Sequence, residues 1–141
     1  MTALYTHEQI PQLIPQRPPI VMIDTVLSAD EQGITTALTI KEDNIFLDEA
    51  HLVEAGLIEH MAQTAAAFAG VRNIVEHAAP KIGFIGEVKD FICYALPQVG
   101  DTFSTSLTSI ADMVGVRLVT CKTKKGEQLV AEGQLKIVLQ N

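Results

Sequence analysis

Glu59 and Gln63 are the residues whose types and spacing best suit chemistry in this chain. They lie four apart in "HLVEAGLIEHMAQTAAA", residues 51–67, which on a helix sets them one turn apart on the same face. A carboxylate followed one turn later by an amide can hold a proton, or orient a water that moves one. Glu59, His60, Gln63 and Thr64 form the only polar stripe of this helix, and no basic residue occurs between Lys41 and Arg72. A wet helix face normally carries several Lys, Arg and Glu, and a structural carboxylate would bond to backbone. The sparse charge favours a carboxylate in a pocket or at a subunit interface. Two histidines lie near it. His51 precedes the helix on a loop able to fold over its start, whereas His60 follows Glu59 and points about 100° away. His51, His60 and His77 do not share a helix face, so no metal site is expected. His7 and His77 sit near segment ends and are expected in solvent. Cys93 and Cys121 have neither metal-ligand spacing nor a CxxC form, and are expected as reduced thiols without chemistry.

The elements that must position these groups follow from periodicity. "HEQIPQLIPQRPP" places Ile10, Leu13 and Ile14 at helical spacing before prolines stop it. "IVMIDTVLSA" and "GITTALTI" are rich in β-branched residues and flank "DEQG", which predicts a hairpin turning at residues 30 to 33. From Leu52 to about His77 the period is helical. After Pro80 come four strand-like stretches, separated by "PQVGD", "ADM" and "KKGE", each a turn or bulge site. Two strands, one long helix and four strands without βαβ alternation predict an α+β fold with an antiparallel sheet. From Leu57 to Val75 apolar or tiny residues occupy every side of the helix, so the helix is expected to be buried and the sheet to curl around it.

Length and charge set the frame. A chain of 141 residues suits one domain, residues 1–141. Residues 1–80 carry 3 basic and 11 acidic side chains and residues 81–141 carry 7 and 6, which yields the net −7. Nucleic acid is an unsuited partner for such a chain. Arg117, Lys122, Lys124 and Lys125 gather near one hairpin and read as a solvated tip. No apolar run approaches a membrane span, and "MTALYTHEQI" lacks a signal core. The expectation is a cytoplasmic protein.

"LIPQRPPIVMIDTV", "NIFLDEAHLVEAGLIEHMAQTAAAFAG", "GFIGEVKDF" and "ALPQVGDTF" together resemble the successive blocks of hotdog-fold 3-hydroxyacyl-acyl carrier protein dehydratases of fatty acid synthesis. More narrowly, the chain is similar to the dehydratase-like proteins of aryl polyene and flexirubin pigment clusters. The resemblance covers nearly the whole chain, and "EHMAQ" is its most specific block. It implies a hotdog fold, in which a curved sheet of about six strands wraps one long helix. It also implies dimers joined at a sheet edge, with active sites between protomers, and substrates carried on acyl carrier protein or coenzyme A. No cofactor is implied.

Dehydration of such a thioester needs a base at the carbon beside the carbonyl, an acid for the departing hydroxyl, and donors to polarise the carbonyl. The resemblance makes Glu59 the acid or water-positioner and Gln63 its support. It points to helix-start N–H groups at Ala55 and Gly56 for the thioester oxygen, and to Phe46 and Phe84, with His60 in a wide pocket, for substrate contact. The departure lies in the loop before the helix. Counted back from "EHMAQ", the family's Gly-His-Phe-Pro-Gly falls on Asn44, Ile45, Phe46, Leu47 and Asp48, so Ile45 replaces the catalytic histidine. Three readings stay open. Either the chain is a dehydratase with an imidazole supplied from elsewhere, His51 above all, or it is a hotdog subunit that binds acyl chains or partners an active dehydratase. The third is an acyl thioesterase, which needs only the helix carboxylate.

Overall fold

Alternation of apolar and polar residues builds one sheet here, and a long run of small residues builds the helix it surrounds. The computed structural model describes residues 3–77 and 82–140, the side chain of Ile82 excepted. A 3-10 helix, His7–Gln12, precedes strands β1 (Thr25–Ala29) and β2 (Gly33–Thr39). Two-residue strands β3 (Leu47–Asp48) and β4 (His51–Leu52) lead into helix α1, Glu54–Glu76. Strands β5 (Ile82–Cys93), β6 (Thr102–Met113), β7 (Val116–Lys125) and β8 (Gln128–Gln140) complete the chain. The expected first hairpin is present, though β1 begins at Thr25 rather than at residue 20. At its turn Asp30 Oδ1 accepts the N–H groups of Gln32 (2.8 Å) and Gly33 (2.9 Å). The proposed break at "ADM" lies inside β6, just after a register shift between Ser109 and Ala111, and the chain turns beyond it at Val114 and Gly115. The Pro80 break and Lys81 lie outside the described residues.

The six long strands form one antiparallel sheet in the order β1-β2-β6-β7-β8-β5. Its inner face is written by period two. Ile34, Thr36 and Leu38 of β2, Phe103, Thr105 and Leu107 of β6, and Val119, Cys121 and Thr123 of β7 are all buried. These side chains meet Leu57, Met61, Ala65, Phe68 and Val71 of α1 in one core. Helix and sheet therefore make the α+β hotdog arrangement that the sequence resemblance implies.

The two sheet edges are treated differently. At β1, the Leu4 N–H reaches the Val26 carbonyl at 2.8 Å and the Val26 N–H reaches that of Tyr5 at 3.0 Å, so the N-terminal segment covers part of that edge. Among the described residues β5 has no strand beyond it, and residues 83–90 are exposed on both of its faces. The expectation that α1 is buried all round is corrected by the same geometry: Ala62, Ala66 and Ala69 are half-buried, and Ile74 and Val75 are exposed. The sheet wraps one side of the helix and leaves the side toward β5 open.

Candidate active site

The segment between the 3-10 helix and β1 is pinned to α1 by Gln63. Its side chain accepts the Met22 N–H at 2.6 Å and donates to the Ile20 carbonyl at 2.7 Å. The same amide nitrogen donates to Glu59 Oε2 at 2.8 Å. Gln63 is fully buried and Glu59 half-buried. The amide is thus fixed from behind, and it fixes the carboxylate in front. A close crossing helps: a Cβ at Gly70 would lie 2.1 Å from the Leu13 carbonyl oxygen, so only glycine lets that segment lie on the helix.

Glu59 opens into a cleft of about 930 Å3 between α1 and the β5 side of the sheet. Its floor is Ala62, Ala65, Ala66, Ala69 and Gly70, and its walls include Phe84, Ile85, Ile137 and Leu139. A trough of this size with an apolar lining and one fixed carboxylate suits an acyl chain whose reacting end meets the acid.

His60 is placed elsewhere. It is fully buried, with Nδ1 2.6 Å from the Met22 carbonyl and Nε2 2.8 Å from Thr105 Oγ1. A carbonyl only accepts, so Nδ1 carries the proton and Nε2 accepts from the Thr105 hydroxyl. Thr105 Oγ1 then accepts from Thr123 Oγ1 at 2.6 Å. Burial pushes the imidazole pKa down to about 4, against the opposing bond to Met22. The ring is a neutral core member, neither a surface group nor a reader of the cleft. Thr105 and Thr123 were its legible sign, since both occupy inward positions of strands where a polar side chain needs a partner.

The remaining residues singled out from sequence divide into two places. Phe84 lines the cleft with Glu59. Phe46, Ala55, Gly56 and His51 gather at the start of α1 and do not line it. A Cβ at Gly56 would come within 2.7 Å of Phe46 Cβ, and the Gly56 N–H already donates to the Val53 carbonyl at 2.9 Å. Ala55 is exposed on the first turn. His51 is exposed in β4, which is braced by the loop before β6 through Leu52 N–H to the Pro97 carbonyl, 2.8 Å. Ile45 is 52% exposed. Among the described residues, Glu59 hydrogen-bonds to no histidine, and no group of His, Cys, Asp and Glu is arranged to hold a metal ion.

Arg117 does not belong to the wet basic tip expected of its hairpin. Its side chain is 11% exposed and turns inward, its guanidinium 5.2 Å from the centre of the Phe68 ring and 3.2 Å from Asp112 Oδ2. Lys122, Lys124 and Lys125 do remain exposed. Both cysteines are free. Burial pushes the Cys121 thiol up to about 12 and raises that of Cys93, which leaves neither primed as a nucleophile.

A curled antiparallel sheet around one helix, with a carboxylate at an apolar cleft beside an open strand edge, defines a hotdog-fold protein. The chain belongs to the ApeP-like family, described as ApeP dehydratase, which matches residues 8–141. Its fold is similar to that of the dehydratase heterocomplex ApeI:P from Xenorhabdus doucetiae, with TM-score 0.88 and 17% identity over 94% of this chain and 91% of that one. It is also similar to Cj0977, a sigma28-regulated virulence protein from Campylobacter jejuni, with TM-score 0.73 and 16% identity over 96% and 90%. A third similar structure is the uncharacterized protein PH1136 from Pyrococcus horikoshii, with TM-score 0.70 and 14% identity over 100% and 96%. No curated protein matches the sequence. No helix among the described residues is long and apolar enough to cross a membrane.

Proposed function

We propose that this chain supplies the carboxylate half of a 3-hydroxyacyl-thioester dehydratase of fatty acid or polyene biosynthesis, and that a second hotdog chain supplies the imidazole. The observation that carries the reading is the Glu59–Gln63 pair, held at the open side of an apolar cleft with no histidine among the described residues bonded to it. In the reaction a base removes the proton beside the thioester carbonyl, the carbon–oxygen bond to the hydroxyl breaks, and a double bond forms between the two carbons. Glu59 gives its proton to the departing hydroxyl, which leaves as water, and Gln63 keeps the carboxyl turned toward it. The base is assigned to the second chain because Ile45 stands where the family's histidine would be, and His77, which lines the cleft, lies at the C-terminal end of α1, eighteen positions beyond Glu59. The unpaired β5 edge, with Phe84, Ile85, Val88 and Ile92 exposed along it, offers a second chain a place to add its own edge strand. The ApeI:P complex, described as a dehydratase heterocomplex, supports a site shared by two chains. The thioester would be carried on acyl carrier protein or coenzyme A.

One observation favours a second reading. Ile45 is exposed and His60 is locked in the core, as in a subunit that binds acyl chains and lends only its surface.

Hydration of crotonyl and longer enoyl thioesters separates the two. We expect the purified chain alone to be at least ~10²-fold slower than its mixture with the partner hotdog chain, the size of one acid–base group. In the mixture Glu59→Gln should abolish turnover. Full activity of that variant leaves only the binding role, and brisk turnover by the chain alone, stopped by His51→Ala, returns the imidazole to this protomer.

A further inference from the structure

Two buried side-chain polar atoms lack a hydrogen-bond partner among the described residues, Gln16 Oε1 and Arg117 Nε. Both residues line the cleft that contains Glu59. An unpaired buried polar group costs about 1–3 kcal/mol, and native folds keep few of them. An orphan donor and an orphan acceptor at one cleft suggest a ligand that completes them.

Arg117 is well prepared for that task. Asp112 Oδ2 at 3.2 Å and the Phe68 ring at 5.2 Å hold its guanidinium in place. Asp112 is shared with Arg72 at 3.3 Å, and Arg72 also stands over the Phe68 ring, at 5.6 Å. Phe68 follows Glu59 by nine positions on α1, which puts its ring roughly 14 Å further along the axis and on the opposite helix face, and Arg117, stacked on that ring, reaches the far end of the cleft lining. Between the two ends the floor is alanine and glycine. A plain alkyl tail would fill that middle and leave the buried N–H still without an acceptor.

We propose that Arg117 is a specificity-determining residue, selecting acyl chains that carry an oxygen acceptor at the end remote from the thioester. The inference rests on the acyl-cleft reading above. A carboxylate and a hydroxyl both supply the acceptor, with the charged group making the stronger bond. Only the hydroxyl can also donate to Gln16 Oε1.

Calorimetric titration of the chain, as purified, with decanoyl, ω-hydroxydecanoyl and ω-carboxynonanoyl coenzyme A tests this. At least one oxygenated chain should bind about tenfold tighter than decanoyl, the worth of one hydrogen bond. A preference for the hydroxyl assigns Gln16 a part in the subsite, and a preference for the carboxylate assigns it to Arg117 alone. In Arg117→Met the preference should vanish, and in Arg117→Lys it should weaken, with circular dichroism and melting temperature reporting the fold. Decanoyl binding as well as or better than both oxygenated chains overturns the proposal without touching the acyl cleft. Preference retained in a folded Arg117→Met removes Arg117 as its source. Binding of none of the three removes the acyl-cleft reading as well.

Discussion

Gln63 Nε2 lies 2.8 Å from Glu59 Oε2 while its other bonds tie down Ile20 and Met22. One amide thus joins the candidate acid to the segment that lies across the helix, and orientation of the carboxylate is coupled to the packing of that segment. Chemistry and stability should respond to different substitutions at these two positions.

Glu59→Gln preserves size and a hydrogen-bonding end. We expect its melting temperature to stay within a few degrees of the parent, while turnover by the assembled enzyme falls ~10²-fold or more. A large loss of stability would mean that the carboxylate serves the fold.

Gln63→Leu strands the Met22 N–H in a buried site and removes the partner of the part-buried Ile20 carbonyl. We expect a cost of about 2–4 kcal/mol, read from urea midpoints, because unpaired buried groups keep their full desolvation penalty. An unchanged midpoint would show that water replaces the amide.

His60 makes stability depend on acid. Its pKa is 6.5 in the unfolded reference and pushed down to about 4 in the fold. Above the higher value neither state holds the proton, and the neutral ring's contribution is fully present. As pH falls through this window the unfolded chain binds the proton first, so the folded state loses roughly 3 kcal/mol by the lower end. Urea unfolding across the range should show this acid slope, and His60→Gln should flatten it. A slope identical in the variant assigns the acid sensitivity to other groups.

The β5 edge predicts assembly. Light scattering at micromolar concentration should give at least a dimer, since a long strand with exposed apolar side chains and an unpaired outer edge seeks a partner. Val88→Lys, on that edge, should shift the mass toward the monomer and leave the far-ultraviolet spectrum unchanged. A parent that is already monomeric, alone and with a second hotdog chain, would falsify the shared-site reading.

Ile45→His restores an imidazole in the loop before β3. If that loop still presents position 45 to a neighbouring protomer's Glu59, activity of the chain alone should rise by about tenfold or more. No gain means that Leu47, Asp48 and Glu49 have carried the loop elsewhere, a result that a structure of the variant would make visible.

Periodicity alone determined a good part of this protein. The helix was legible because the period from Leu52 to about His77 is helical and its positions from Leu57 on are mostly apolar or tiny. The strands were legible because inward and outward residues alternate, as Phe103, Thr105 and Leu107 do. The spacing of Glu59 and Gln63 likewise required only the helical repeat. Tertiary structure decided the rest. Neighbouring positions 59 and 60 read alike as polar residues on a small-residue helix, yet one faces the cleft and the other is locked between Met22 and Thr105. The basic hairpin hid a similar difference, with Arg117 folded inward over Phe68 and its lysine neighbours left in solvent. An apolar helix face looks the same in sequence whether the sheet covers it or leaves it open for a ligand or a second chain. Which occurs depends on how far the sheet curls before it reaches β5, and that curl is set by contacts between residues distant along the chain.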